Sequence, residues 1–238
     1  MYKALKFVET EDNRIFFTSD THFCHDRDFV FGLRGYDNVD QMNEDLIAKW
    51  NETVRPTDTV IHLGDFILGA GKDSDKRFRE IIHRLNGNIV YLWGNHNAGV
   101  KQFYRDLMVG RFCDAKQFDE QRMEVYPVGE DTANGSFTFR GNNLYLQIKT
   151  LEGKKATVFC AHFAHRLWID CHHDRIIHLS GHSHGSDPES QPNHKVGKRL
   201  DVGVDNFGRP ISINEVLKVT RNMEWQNFDH HNEDTNPS

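Results

Sequence analysis

The sequence lacks several things that would each point to a definite class. No apolar run approaches the ~18 residues needed to cross a bilayer, and the opening MYKALKFVETED has no long apolar stretch of the secretory-leader kind. Cysteine is sparse: Cys24, Cys113, Cys160 and Cys171 lie far apart and form no CxxC pair. A disulfide framework is therefore not expected, and a reducing, cytoplasmic setting is. Positive charge is short as well, with 29 Lys and Arg against 35 Asp and Glu. No broad basic field is left to hold a long nucleic acid. There is no internal repeat. Gly69-Ala70-Gly71-Lys72 only imitates a phosphate-binding loop: Phe66 stands where the first glycine is needed, and Asp73 where a Ser or Thr is needed.

Much of the negative charge is local. Glu224, Asp229, Glu233 and Asp234 account for four units of a net −6, and residues 222–238 hold no Lys or Arg. A single domain over 1–222 with an acidic, disordered tail over 223–238 is expected. A composition with 37% hydrophobic and 11% aromatic residues supplies a sizeable core, which excludes wholesale disorder. What the chain has in excess is histidine, with 15 copies.

Five short β-branched or aromatic runs end at polar residues: 14–19, 59–63, 89–93, 156–160 and 176–180. Continuous apolar runs of this length predict strands buried on both faces. Helical periodicity occupies 40–51 (Met42, Leu46, Ile47, Trp50) and 73–85 (Phe78, Ile81, Ile82, Leu85), with Asn86-Gly87 as a stop. Strands alternating with helices predict an α/β fold with a parallel or mixed sheet. Residues 137–140 and 144–149 around Gly141-Asn142-Asn143 predict a hairpin. A further helix is placed near 100–108, inside the weakly patterned stretch 97–136.

The polar residues after the five runs are Asp20-Thr21-His22, Gly64-Asp65, Gly94-Asn95-His96, Ala161-His162 and Gly181-His182-Ser183-His184. In open α/β sheets ligands bind beyond the carboxyl ends of strands, so the five motifs are expected to converge. Several imidazoles, two carboxylates and an amide suit Mn, Fe, Zn, Ni or Co rather than Ca or a thiolate-bound zinc. Six or seven donors exceed one tetrahedral site, and two metals sharing a carboxylate use them economically. The glycines at 64, 94 and 181 are expected to turn the backbone sharply. Asp20 and His22, like His182 and His184, would face one side if extended.

This ordered set resembles the calcineurin-like metallophosphoesterase family, whose pattern is DxH…GD…GNH[DE]…H…GHxH. The opening SDTHF, His25, HLGDF and the late DVGVD…RP are similar to a smaller bacterial and bacteriophage branch. The resemblance covers roughly residues 14–205. It implies a four-layer αββα sandwich of two mixed sheets flanked by helices. It implies that Asp20, His22 and His184 hold one divalent metal, that Asn95, His162 and His182 hold the other, and that Asp65 bridges. Manganese is the preferred ion. His96 would act beside the metals on the phosphate or leaving oxygen, and Asp65 is counted as catalytic along with it; Asn95, and by position in the sequence His25 and Arg34, are further candidate substrate contacts.

The implied reaction is hydrolysis of a small phosphate ester by metal-activated water. A phosphodiester or nucleotide is preferred; a phosphomonoesterase, a nuclease on short oligonucleotides and a non-catalytic binding module remain alternatives. Asn97 departs from the pattern, standing where the family usually has Asp or Glu. Asn97 cannot stabilise an imidazolium as a carboxylate does, so Asn97→Asp is expected to speed esters with poor leaving groups. Cys24, where close relatives often carry Gly, is read as a small filler. Loops 24–38, 66–76, 97–136 and 163–175 would shape the pocket.

Overall fold

The apolar runs become strands whose carboxyl ends meet. In a computed structural model, residues 4–226 are described except 70, 98, 99, 102, 106–127 and 196. The strands are β1 Leu5–Val8, β2 Ile15–Thr18, β3 Thr59–His62, β4 Gly87–Tyr91, β5 Val128–Thr132, β6 Gly135–Phe139, β7 Asn143–Lys149, β8 Lys155–Ala161, β9 Ile176–Ser180, β10 Arg199–Asp201 and β11 Ile211–Ser212. The helices are α1 Asp28–Phe31, α2 Val39–Thr53, α3 Ser74–Ile82 after a 3-10 turn at Gly71–Asp73, α4 Val204–Phe207 and α5 Ile213–Thr220. Residues 100, 101 and 103–105 are also helical; the rest of the helix expected near 100–108 lies outside the described residues.

Two mixed sheets form, ordered β1-β7-β8-β9-β10 and β11-β2-β3-β4-β6-β5. β2, β3 and β4 run parallel to one another, as do β8, β9 and β10. Every predicted metal-site motif follows one of these strands.

Alternation along each strand divides the core. Phe16, Val60, Ile89, Tyr91, Phe137 and Phe139 face α2 and α3 in a cluster rich in aromatic rings. Ile15, Phe17 and Ile61 face the other way, onto Leu146, Val158, Cys160 and Leu179 of the second sheet. Phe159 and Ala161 on the second sheet's outer face pack against Trp168 and Cys171 of the 163–175 loop. Asn38 caps α2 by accepting from Gln41, and Ser212 with Glu215 forms a capping box at α5.

The hairpin expected over 137–149 is absent. β6 pairs with β4 and β5 in one sheet, whereas β7 pairs with β1 and β8 in the other. Gly141, at φ 88°, carries the chain across between sheets, held by Trp93 N–H donating to its carbonyl at 2.9 Å. The aromatic cluster claims Phe137 and Phe139, and the inter-sheet layer claims Leu144 and Leu146. Near the end of the described chain Met223 is buried and Glu224 bonds to Lys195 and Gly197. Residues 227–238 of the expected tail lie outside the described residues.

Candidate metal centre

The two sheets are tied at the site. Ser19, just after β2, forms a parallel bridge with Gly203, just after β10. Ser19 also accepts from Val204 N at 3.1 Å. The loops beyond then bend sharply. Asp20, His22, Asp65, His182 and His184 all have positive φ, between 47° and 66°. They are five of the seven non-glycine residues in that region among those described. Such conformations are costly for L-residues and concentrate at functional sites. The expected extended pairs are therefore not extended. His184 joins Asp20 and His22, while the His182 ring lies 5.1 Å from that of His162.

Two sets of side chains are close enough to share an ion: Asp20, His22 and His184, and Asp20, Asp65 and His162, with donor atoms within 4.8 Å of one another in each. Asp20 stands in both. Asp65 Oδ2 lies 3.6 Å from His22 Nε2 and 3.5 Å from His162 Nε2, so it too spans both groups. Asn95 Oδ1 is 2.8 Å from His162 Nε2.

The carboxylates share one design. Asp20 Oδ2 accepts from His182 N–H at 2.9 Å, and Asp65 Oδ1 accepts from His96 N–H at 2.8 Å. Each carboxylate thus braces a neighbouring loop with one oxygen and turns the other inward. These close approaches need glycine before the bracing residue. A Cβ on Gly181 would fall 2.3 Å from Asp20 Oδ2, and one on Gly94 would fall 2.0 Å from Asp65 Oδ1. Gly64 alone of the three has the sharp turn expected, at φ 106°. Gly94 and Gly181 are required for room instead.

The imidazoles are oriented from behind. His162 Nδ1 donates to Leu63 O at 2.9 Å, and His184 Nδ1 donates to Asp205 at 2.9 Å. Both turn Nε2 inward, as metal-binding histidines do. His184 Nε2 faces His22 Nε2 at 3.1 Å. Asp20 Oδ1 is buried and has no hydrogen-bond partner. An orphaned carboxylate oxygen beside opposed imidazole nitrogens is a donor set suited to a cation, and its N/O chemistry fits divalent transition metals.

Burial pushes Asp20 up to about 6 and His22 down to about 2, the latter against the pull of Asp65. Burial would also raise Asp65, but hydrogen bonding and charge from His162 outweigh it and hold it near 2. Burial opposes charge on His162, yet the hydrogen bond to Asp65 raises it. His184 is raised chiefly by its hydrogen bond to Asp205.

Asp201 and Asp205 entered the sequence reading only as the ends of the DVGVD motif, with no role at the site. Asp201 is buried and accepts from Ser183 Oγ at 2.5 Å, Gly185 N at 3.2 Å and Gly203 N at 2.8 Å, which shapes the GHSH loop. Both aspartates follow the same rule as the recognised motifs, since β10 ends at Asp201. Arg34, expected on the substrate, is occupied elsewhere. Its guanidinium forks onto Asp205 at 2.9 and 2.8 Å and donates to Thr21 O and Asp20 O at 3.0 and 2.7 Å. It positions the Asp20–His22 loop and the partner of His184. His25 does lie at the site, its ring 5.4 Å from His22. His96 is exposed, with its ring 5.9 Å from His22.

Asn97 is also spent on structure. Its Oδ1 accepts from Tyr91 Oη at 2.9 Å and Gly94 N at 3.2 Å, and its Nδ2 donates to Gly94 O. Both lone pairs are used, leaving none for His96. The rate gain expected of Asn97→Asp loses its basis. That substitution sets a carboxylate oxygen against the Gly94 carbonyl and is expected to cost about 1–3 kcal/mol in urea unfolding, with no faster turnover of poor-leaving-group esters.

Residues 13–206 match the calcineurin-like phosphoesterase family, and the chain belongs to it. The chain is 25% identical to the Gene 66 protein of Mycobacterium phage L5 over 211 residues, 87% of this chain and 94% of that one. This is consistent with the bacteriophage-type branch. An uncharacterized protein of Methanocaldococcus jannaschii is 42% identical over 90 residues, covering 38% of this chain and only half of that protein's length. The crystal structure of a protein of unknown function from Aquifex aeolicus shares the fold, with a TM-score of 0.50 at 19% identity over 87% of this chain and 99% of that one. The family and the two donor groups support a metal-dependent phosphoesterase. Among the described residues no helix is long and apolar enough to cross a membrane.

Proposed function

We propose that the chain hydrolyses a phosphodiester of the nucleotide type at a centre of two divalent metals. Manganese is the preferred ion, with Fe, Zn, Ni and Co as alternatives. The observation that carries the reading is the pair of carboxylates, Asp20 and Asp65, each braced by one backbone N–H and each turned toward imidazole nitrogens on both sides. Asp20, His22 and His184 would hold one ion, Asn95, His162 and His182 the other, with Asp65 between. When bound, such ions acidify a water and polarise phosphoryl oxygens.

The chain's own residues do the rest. Asn95 contributes a neutral oxygen, which limits negative charge where a phosphate must enter. His96, exposed and braced at its backbone by Asp65, contacts the phosphate and gives a proton to the leaving oxygen. With Asn97 committed to Tyr91 and Gly94, no carboxylate at 97 strengthens His96. That favours substrates whose leaving group needs little help. His25 borders the same face. The free thiols of Cys24, Cys160 and Cys171 support a reducing, cytoplasmic setting.

The test is turnover of bis-p-nitrophenyl phosphate against p-nitrophenyl phosphate by protein loaded with Mn²⁺. The diester is expected to be cleaved, with activity lost in chelator and restored by metal. A metal-loaded sample that turns over neither ester would sink the enzymatic reading. Cleavage of the monoester alone would replace diesterase with monoesterase.

A further inference from the structure

Two phenylalanines at the rim of the centre are left in water. Phe163 follows His162 directly and is 49% exposed. Its ring lies 4.5 Å from that of His182 and 5.1 Å from that of His162. Phe29 is 65% exposed, on the outer side of α1, whose Val30 and Phe31 are buried. It meets His25 edge-on at 5.6 Å, and His25 in turn neighbours His22.

Single exposed apolar residues are ordinary on any surface. The position of these two is not. Every other described phenylalanine is buried or half-buried, and both exposed ones touch histidines of one site. Neither ring belongs to a core cluster, so packing does not account for them. One stands beside the His22 group and the other beside the His162 group. A ligand with a phosphate at the centre would reach a flat apolar face on either side. Ligand sites combine such faces with a few convergent polar groups, and aromatic side chains bind any nucleobase by stacking.

We propose that Phe163 and Phe29 are stacking platforms that select phosphate esters bearing a flat heteroaromatic group, that is, nucleotides. The placement of the phosphate rests on the phosphoesterase reading; the platforms are tested apart from it. Calorimetry on Mn²⁺-loaded protein would compare AMP with ribose 5-phosphate, which lacks the base. AMP is expected to bind on the order of tenfold more tightly. Phe163→Ala and Phe29→Ala should each erode that margin while leaving ribose 5-phosphate unchanged, and Phe163→Trp should restore it.

A kinetic arm uses thymidine 5′-(p-nitrophenyl phosphate) and methyl p-nitrophenyl phosphate, which share a leaving group. In Phe163→Ala, KM should rise for the first alone, with kcat retained. Equal affinity of the wild-type protein for AMP and ribose 5-phosphate would overturn the proposal, as would equal loss of both in Phe163→Ala. An unaltered margin in Phe29→Ala would remove Phe29 from it. A base preference without turnover of either ester would overturn the phosphoesterase reading and leave the platforms standing. Turnover of both esters without a base preference would do the reverse.

Discussion

Asp65→Ala is expected to lower metal-dependent ester turnover by on the order of 10³-fold, the scale of losing a preorganised electrostatic contact, while the chain stays folded. Asp65 reaches His22 and His162 with one oxygen and braces His96 with the other. Its removal therefore undoes three things together: the carboxylate between the two donor groups, the restraint on the 94–97 loop, and the local negative charge that matches cations. Metal titration should show fewer than two tightly held ions per chain. Circular dichroism should stay near wild type, because the lost side chain lies beyond the strands. Wild-type turnover in this variant would remove Asp65 from the centre. Asp65→Asn separates the contributions, since it retains an oxygen for bracing but loses the charge.

The second large effect comes from residues that offer no donor atom at all. Gly94→Ala and Gly181→Ala are each expected to weaken Mn²⁺ binding about 10–100-fold, as loss of a group that orients a ligand does. Neither glycine has positive φ, so an alanine there meets no left-handed strain. The clash is with Asp65 in one case and with Ser19 and Asp20 in the other, where the added carbon would fall 2.0–2.3 Å from side-chain oxygens. The carboxylate must shift or the loop must lift, and either change separates the inward oxygen from the imidazoles. Overpacking should also cost about 1–3 kcal/mol of stability, visible as a lower Tm without metal. Calorimetric metal affinity equal to wild type in both variants would show that these approaches are not needed.

The strands and the donor residues were legible for a common reason. A strand buried on both faces writes itself as a continuous apolar run, and the polar residue that stops it marks the edge where ligands gather. Thr59–His62 followed by Gly64-Asp65, and Ile176–Ser180 followed by Gly181-His182, are instances. The failures arose where the deciding partner is distant in sequence. Two half-buried runs around Gly141 look alike whether they pair with each other or with different sheets. Only the aromatic cluster receiving Phe137 and Phe139 decides that. Arg34 resembles a free cation until Asp205, 171 residues away, is brought against it. Asn97 is the local exception: its partners Tyr91 and Gly94 lie only six and three residues before it, and the folded loop geometry turns them onto it. Asp201 and Asp205 were within reach, because the short strand ending at Asp201 signals the same edge.

The left-handed backbone at the metal-site motifs bears on how this protein tolerates change. Five residues held there, at roughly 1–3 kcal/mol each, draw on a reserve comparable to the ~5–15 kcal/mol that separates folded from unfolded domains. The remainder of the chain must oversupply cohesion by that amount, and ions that bind only the folded form return part of it. A modest lesion in the aromatic cluster, remote from any donor, would therefore surface as a metal requirement for folding rather than as simple instability. Drift toward glycine at Asp20, His22, Asp65, His182 or His184 would relieve that backbone cost and remove the candidate donors, while at Asp20 and Asp65 it would also give up the hydrogen bonds that brace His182 and His96.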